Sequence, residues 1–119
     1  MEYLNYLLIG LIVYFLLQRL LPAKGVNQIT TSELRSELKN KTKQFIDVRT
    51  AAEFRANHIN GFRNIPLHEL NRKANEIPKD KEVILICQSG MRSNKASEVL
   101  RKLGYHNVTN VKGGMSAWS

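Results

Sequence analysis

Cys87 is the only cysteine in the chain, and the residues that begin with it read Cys87-Gln88-Ser89-Gly90-Met91-Arg92-Ser93. A thiol followed closely by a glycine, an arginine and a helix start suits nucleophilic chemistry on an anionic group. Gly90 lets the loop curl with positive φ. Successive backbone N–H groups from Gln88 to Arg92 would then point inward at the sulfur. Such a nest, with a helix N-terminus behind it, binds anions, and it would lower the thiol from its free value of about 8.5. Arg92 adds a guanidinium for an oxyanion substrate. The alternative is an inert cysteine buried at a strand end, with Arg92 a surface charge; the glycine, arginine and helix start argue against it.

The elements that position this loop follow from hydrophobic patterning. Val83-Ile84-Leu85-Ile86 is an unbroken apolar run ahead of Cys87, as expected of a central strand buried on both faces. After the loop, Ser93 to Leu103 has helical spacing, with Ala96, Val99, Leu100 and Leu103 inward and Gly104 at the C-cap. Thr30 with Glu33, and Thr50 with Glu53, have capping-box spacing and open two further helices. The first carries Leu34 and Leu38; the second runs through about Arg55. Strands are expected over Gln44–Val48 and Asn107–Val111. Ile59–Ile65 reads as a loop and short strand, Leu67–Ala74 as a short helix, and Lys112-Gly113-Gly114 as a turn. Strands alternating with helices imply an α/β domain with a mostly parallel sheet. Ligands bind beyond the carboxyl ends of such strands, where Cys87 falls.

Composition bounds the whole. The chain has 119 residues, 43% apolar and 24% charged, which is globular composition with room for one domain. The expected division is residues 1–25 as anchor and linker and residues 26–119 as the folded domain. A single cysteine excludes an intramolecular disulfide. His58, His68 and His106 are far apart and lack ligand spacing, so no metal is expected. The net charge of +8 suggests an anionic partner. The basic residues are scattered, dense only at Lys39, Lys41 and Lys43, and no aromatic residues alternate with them. No nucleic-acid partner is therefore expected.

Between Tyr3 and Leu21 only Asn5, Gln18 and Arg19 are clearly polar. As a helix this stretch is about 28 Å long, close to a hydrocarbon core of roughly 30 Å. The expectation is a single-pass membrane anchor over residues 3–21, with an interfacial helix or a cleaved signal as alternatives. Arg19 and Lys24 on its C-terminal flank would place the following domain in the cytoplasm. Pro22 and Gly25 would end the helix and begin a short linker.

CQSGMRS resembles the active-site loop of rhodanese-type sulfurtransferases. Three further segments match that family in order: DVRTAAEF from Asp47 to Phe54, HINGFRNIPL from His58 to Leu67, and KGGMSAW from Lys112 to Trp118. The resemblance implies a rhodanese-like five-stranded, mainly parallel sheet flanked by helices. It implies transfer of a sulfane sulfur from a small anionic donor, such as thiosulfate, to a thiol or cyanide acceptor through a Cys87 persulfide. Gln88, Ser89, Gly90, Met91 and Arg92 would bind substrate, Asp47 and Arg49 would give structural support, and no cofactor is implied. His58 resembles a histidine that holds a turn, and Trp118 would pack in the core near the site. Phe62-Arg63 departs from the family pattern, which has a small and an apolar residue there.

Two other functions use the same residues. One is a persulfide carrier or docking module for a membrane partner, with little free turnover. The other is a phosphatase or arsenate reductase, which loop length argues against. Four residues separate Cys87 from Arg92, whereas phosphate-using relatives of the fold resemble C-x5-R. The shorter loop suits one sulfur atom better than the three oxygens of a phosphoryl group.

Overall fold

The computed structural model describes residues 2–20 and 25–119, without the side chains of residues 19 and 20. The chain forms α1 (Glu2–Leu20), β1 (Asn27–Ile29), α2 (Thr31–Glu37), β2 (Lys43–Asp47), α3 (Ala51–Ala56) and β3 (Arg63–Asn64). It continues through α4 (Leu70–Lys73), which is flanked by single 3-10 turns, then β4 (Glu82–Ile86), α5 (Met91–Lys102), β5 (Val108–Val111) and α6 (Gly114–Ala117). The strands form one five-stranded sheet in the order β1-β5-β4-β2-β3, and every neighbouring pair is parallel.

β4 is the middle strand, as its apolar run requires. Its side chains alternate between two buried clusters. Val83 and Leu85 pack with Ala96 and Leu100 of α5, Leu70 and Tyr105. Ile84 and Ile86 pack on the other face with Leu34 of α2, Phe62 and Met115. Both capping boxes form: Thr30 Oγ accepts from Glu33 N–H at 3.1 Å, and Thr50 Oγ from Glu53 N–H at 3.2 Å.

Two elements differ from the sequence reading. The residues just ahead of Thr30, to which the sequence reading assigns no element, form β1, a three-residue edge strand with a polar centre, Gln28. The turn expected at Lys112-Gly113-Gly114 leads directly into α6, with Gly113 and Gly114 both at positive φ.

The membrane expectation is corrected. Among the described residues no helix is long and apolar enough to cross a membrane. The uninterrupted apolar part of α1, Leu7 to Leu17, rises only about 16 Å, roughly half of a hydrocarbon core. The rest of this 19-residue helix includes Glu2, Asn5 and Gln18 toward its ends. The single-pass anchor over residues 3–21 and the cytoplasmic placement derived from that anchor therefore do not hold, and the membrane as partner loses the span on which it rested. Pro22, Lys24 and the Arg19 side chain, on which the helix break and orientation rested, lie outside the described residues.

Candidate active site

Asp47 and Ile86 are paired in the β2–β4 ladder, and Val48 N–H donates to the Ile86 carbonyl at 3.0 Å. Arg49, two residues beyond β2, and Cys87, directly after β4, thus emerge at the same end of the two strands. Cys87 is fully buried. Gly90 N–H donates to its Sγ at 3.0 Å, and Ser93 Oγ lies 3.3 Å from the same sulfur. Gly90 adopts φ +100° and caps α5, so the helix begins immediately beyond the thiol. Sulfur, backbone donor and helix N-terminus are therefore assembled as an anion would require. Gln88, Ser89 and Met91 are exposed on the same turn.

The C-terminal segment holds this turn from the other side. Met115 N–H donates to the Cys87 carbonyl at 2.8 Å, and Ser116 N–H to the Gln88 carbonyl at 2.9 Å. Gln88 Nε2 also donates to Ser116 Oγ at 3.2 Å. The approach is so close that a Cβ on Gly114 would lie 2.1 Å from the Cys87 carbonyl oxygen. Beside the loop opens a cavity of about 640 Å³, lined among others by Ser89, Gly90, Met91, Lys95, Asn110 and Lys112.

Arg92 is engaged by a residue that spacing could not connect to it. Its Nη1 and Nη2 donate to the two carboxylate oxygens of Glu53 at 2.6 and 2.9 Å. Glu53 also accepts from Thr50 N–H and hydroxyl within the capping box. The Arg92 guanidinium, with the Thr50 donors behind it, holds the Glu53 carboxyl down to about 2, against the opposing effect of burial. The folded value lies below the ordinary 4.5, so the pair stabilises the fold fully above that pH and progressively less as pH falls toward about 2. The gap in melting temperature between the native protein and Glu53→Gln should accordingly be widest at neutral pH and narrow steadily in acid. A gap that stays constant down to about pH 2 would exclude this linkage.

Asp47 and Arg49 form a buried ion pair. Arg49 Nε donates to both Asp47 oxygens at 3.1 Å, and Nη2 to Oδ2 at 2.8 Å and to the Asn57 carbonyl at 2.6 Å. Asn64 Nδ2 donates to the carbonyls of both residues. The pair thus ties the end of β2 to the loop after α3 and to β3. His58 Nδ1 donates to the Phe54 carbonyl at 2.8 Å, and its ring stacks on Phe54. Trp118 packs partly buried on the cluster around Leu34, with the Arg35 guanidinium over its ring. Among the described residues no group of three His, Cys, Asp or Glu side chains could hold a metal ion.

Sequence reasoning missed Glu53 as the partner of Arg92, Ser93 beside the sulfur, Asn110 as the partner of Ser93, and Gly114 against the Cys87 carbonyl. For Asn110 one signal was present: an amide inside a short strand, next to Val111.

Comparison with known proteins bears on the fold and the family. The family model described as "Rhodanese-like domain" matches residues 30–119. The Bacillus subtilis protein YqhL is 39% identical over 107 residues, covering 90% of this chain and 83% of its own. A protein from Allochromatium vinosum named sulfurtransferase is 36% identical over 95 residues, covering 79% and 89%. The crystal structure of a rhodanese-like domain protein from Staphylococcus aureus superposes with a TM-score of 0.73 at 35% identity, covering 79% of this chain and 92% of that one.

Proposed function

The chain belongs to the rhodanese-like domain family, and from that premise we propose that it is a thiosulfate-using sulfurtransferase with Cys87 as the persulfide carrier. The observation that carries this reading is the Cys87 sulfur at the start of α5, with Gly90 N–H at 3.0 Å. The relative named sulfurtransferase supports the general activity.

In the first half-reaction the Cys87 thiolate attacks the outer sulfur of thiosulfate. A new S–S bond forms, the bond to the sulfonate sulfur breaks, and its electron pair leaves as sulfite. In the second, cyanide or a thiolate attacks the outer sulfur of the persulfide. The Cys87–S bond breaks and the Cys87 thiolate is restored, with thiocyanate or a new persulfide as product. This is two-step covalent catalysis, balanced without metal or redox cofactor. Residues Gln88 to Met91 form the turn that would cradle the transferred sulfur. Asp47 and Arg49 would brace the neighbouring strand end. Arg92 would draw the anionic donor toward the loop with the part of its charge that Glu53 leaves uncompensated.

Incubation with thiosulfate should add about 32 Da, one sulfur atom, to Cys87, and cyanide should remove it as thiocyanate. No adduct with thiosulfate would refute the donor assignment. An adduct formed stoichiometrically but without steady-state turnover would assign the chain to sulfur carriage for a protein acceptor.

The same site should not hydrolyse aryl phosphates. Phosphoryl transfer needs donors for three equatorial oxygens, and here both terminal nitrogens of the loop arginine are held by Glu53. Thiocyanate formation with no hydrolysis of p-nitrophenyl phosphate above background is expected. Efficient phosphate release would overturn the reading.

A further inference from the structure

Ser93 Oγ is fully buried and has one proton to give. Three acceptors surround it: Cys87 Sγ at 3.3 Å, the Gly90 carbonyl at 3.2 Å, and Asn110 Oδ1. A hydroxyl donates to one acceptor at a time and rotates to suit. Asn110 presents its oxygen to Ser93 while its Nδ2 donates to Gln28 Oε1 at 3.0 Å. Gln28 and Asn110 stand opposite each other in the β1–β5 ladder, so the sheet register sets this amide pair. Asn110 is 4% exposed in a strand buried along its whole length. An amide there is costly unless its hydrogen bonds are made, and an aliphatic residue would fill the position without that cost.

We infer that Ser93 is a catalytic hydroxyl that follows the charge on Cys87, and that Asn110, held by Gln28, is the positioning residue that takes its proton when the sulfur is uncharged. The inference deepens the sulfurtransferase reading and rests on it for its account of turnover. As a thiolate, Sγ carries the charge and draws the Ser93 proton. In the persulfide the charge sits on the outer sulfur, Sγ is neutral, and the proton turns to Asn110 Oδ1. When the acceptor takes the outer sulfur, Sγ leaves as a thiolate and the proton returns to it. No proton changes its covalent owner, so the cycle stays balanced, and the hydroxyl assists Cys87 both as nucleophile and as leaving group.

Ser97 supplies the comparison. It is buried on the same helix, but its hydroxyl donates to the Ser93 carbonyl at 2.7 Å. The other charged groups around the loop are Arg92, paired with Glu53, the buried Asp47–Arg49 pair, and Lys95, Glu98 and Lys112 on the adjoining cavity. All are retained in every variant below.

The test is the pH dependence of Cys87 alkylation by iodoacetamide, with circular dichroism as the check on folding. Ser93→Ala should raise the midpoint by about one pH unit, the worth of one hydrogen bond to a charged sulfur. It should also slow cyanide discharge of the persulfide about tenfold. Asn110→Leu removes the competing acceptor, leaves the Ser93 proton to the sulfur and should lower the midpoint. Ser97→Ala should leave it unchanged, and Ser93→Thr, which keeps the hydroxyl, should stay near native. If Ser93→Ala fails to fold, Asn110→Leu decides. The inference is overturned if folded Ser93→Ala and folded Asn110→Leu stay within about 0.2 unit of native, or if Ser97→Ala shifts as far as they do. Alkylation needs no sulfur donor, so a chain that accepts no sulfur would refute the proposed activity while leaving the hydroxyl assignment to this readout.

Discussion

Cys87→Ser should abolish thiocyanate formation from thiosulfate and cyanide, to the level of the uncatalysed reaction. The chain has one cysteine, so no second thiol can carry the sulfur. A serine hydroxyl at this position can accept the Gly90 N–H, but it cannot form a persulfide. The fold should survive, because the exchange of sulfur for oxygen creates almost no cavity. Burying a hydroxyl that keeps a hydrogen-bond partner costs about 1 kcal/mol, which lowers the melting temperature by several degrees in a domain of this size. Substantial thiocyanate formation by the folded variant would remove Cys87 from the mechanism.

Gly114→Ala should be the most damaging single methyl in the domain. Its Cβ would stand 2.1 Å from the Cys87 carbonyl oxygen and 3.0 Å from the Gln88 carbonyl carbon. Both neighbours are backbone, and neither can retreat without breaking the bonds from Met115 and Ser116. Gly114 also sits at φ +54°, which adds about 1 kcal/mol for a residue with a side chain. A loss of about 3 kcal/mol or more is expected, with the loop displaced and sulfur transfer lost. Gly61→Ala separates the two causes. It has a φ of +100° and open space around the added methyl, so it should show only the conformational cost of about 1 kcal/mol. Equal melting temperatures for the two variants would mean that the close approach carries no energetic weight.

The features legible in the sequence were those that local chemistry decides. Thr30 with Glu33 and Thr50 with Glu53 are capping boxes whose partners lie three residues apart, and both form. Four consecutive aliphatic residues ahead of Cys87 become the middle strand, because only a strand covered on both faces can use them all. The features that were missed depend on distant partners. β1 is three residues with a polar centre, and it is a strand because β5 lies beside it. Glu53 and Arg92 are 39 residues apart, and Gln28 and Asn110 are 82 apart. Glu53 shows the difficulty most clearly. Its local role as a capping residue was readable and correct, and it concealed a second role toward the active-site loop. The membrane reading failed for a related reason. Length was counted across polar ends, although the uninterrupted apolar stretch covers only about half of the thickness required.

The sheet order also bears on the protein's synthesis. β1 is the first strand to leave the ribosome, and its only neighbour in the sheet is β5, the last. Asn27 pairs with Thr109 and Ile29 with Val111, so the edge stays open until almost the whole domain has been translated. Gln28 cannot meet Asn110 before that point, and the Cys87 carbonyl must wait for Met115. Loop closure over such a span makes β1 a late participant in folding. A nascent chain arrested before Val108 can therefore contain the cysteine, its loop and all of α5 while lacking both braces that set the sulfur in place.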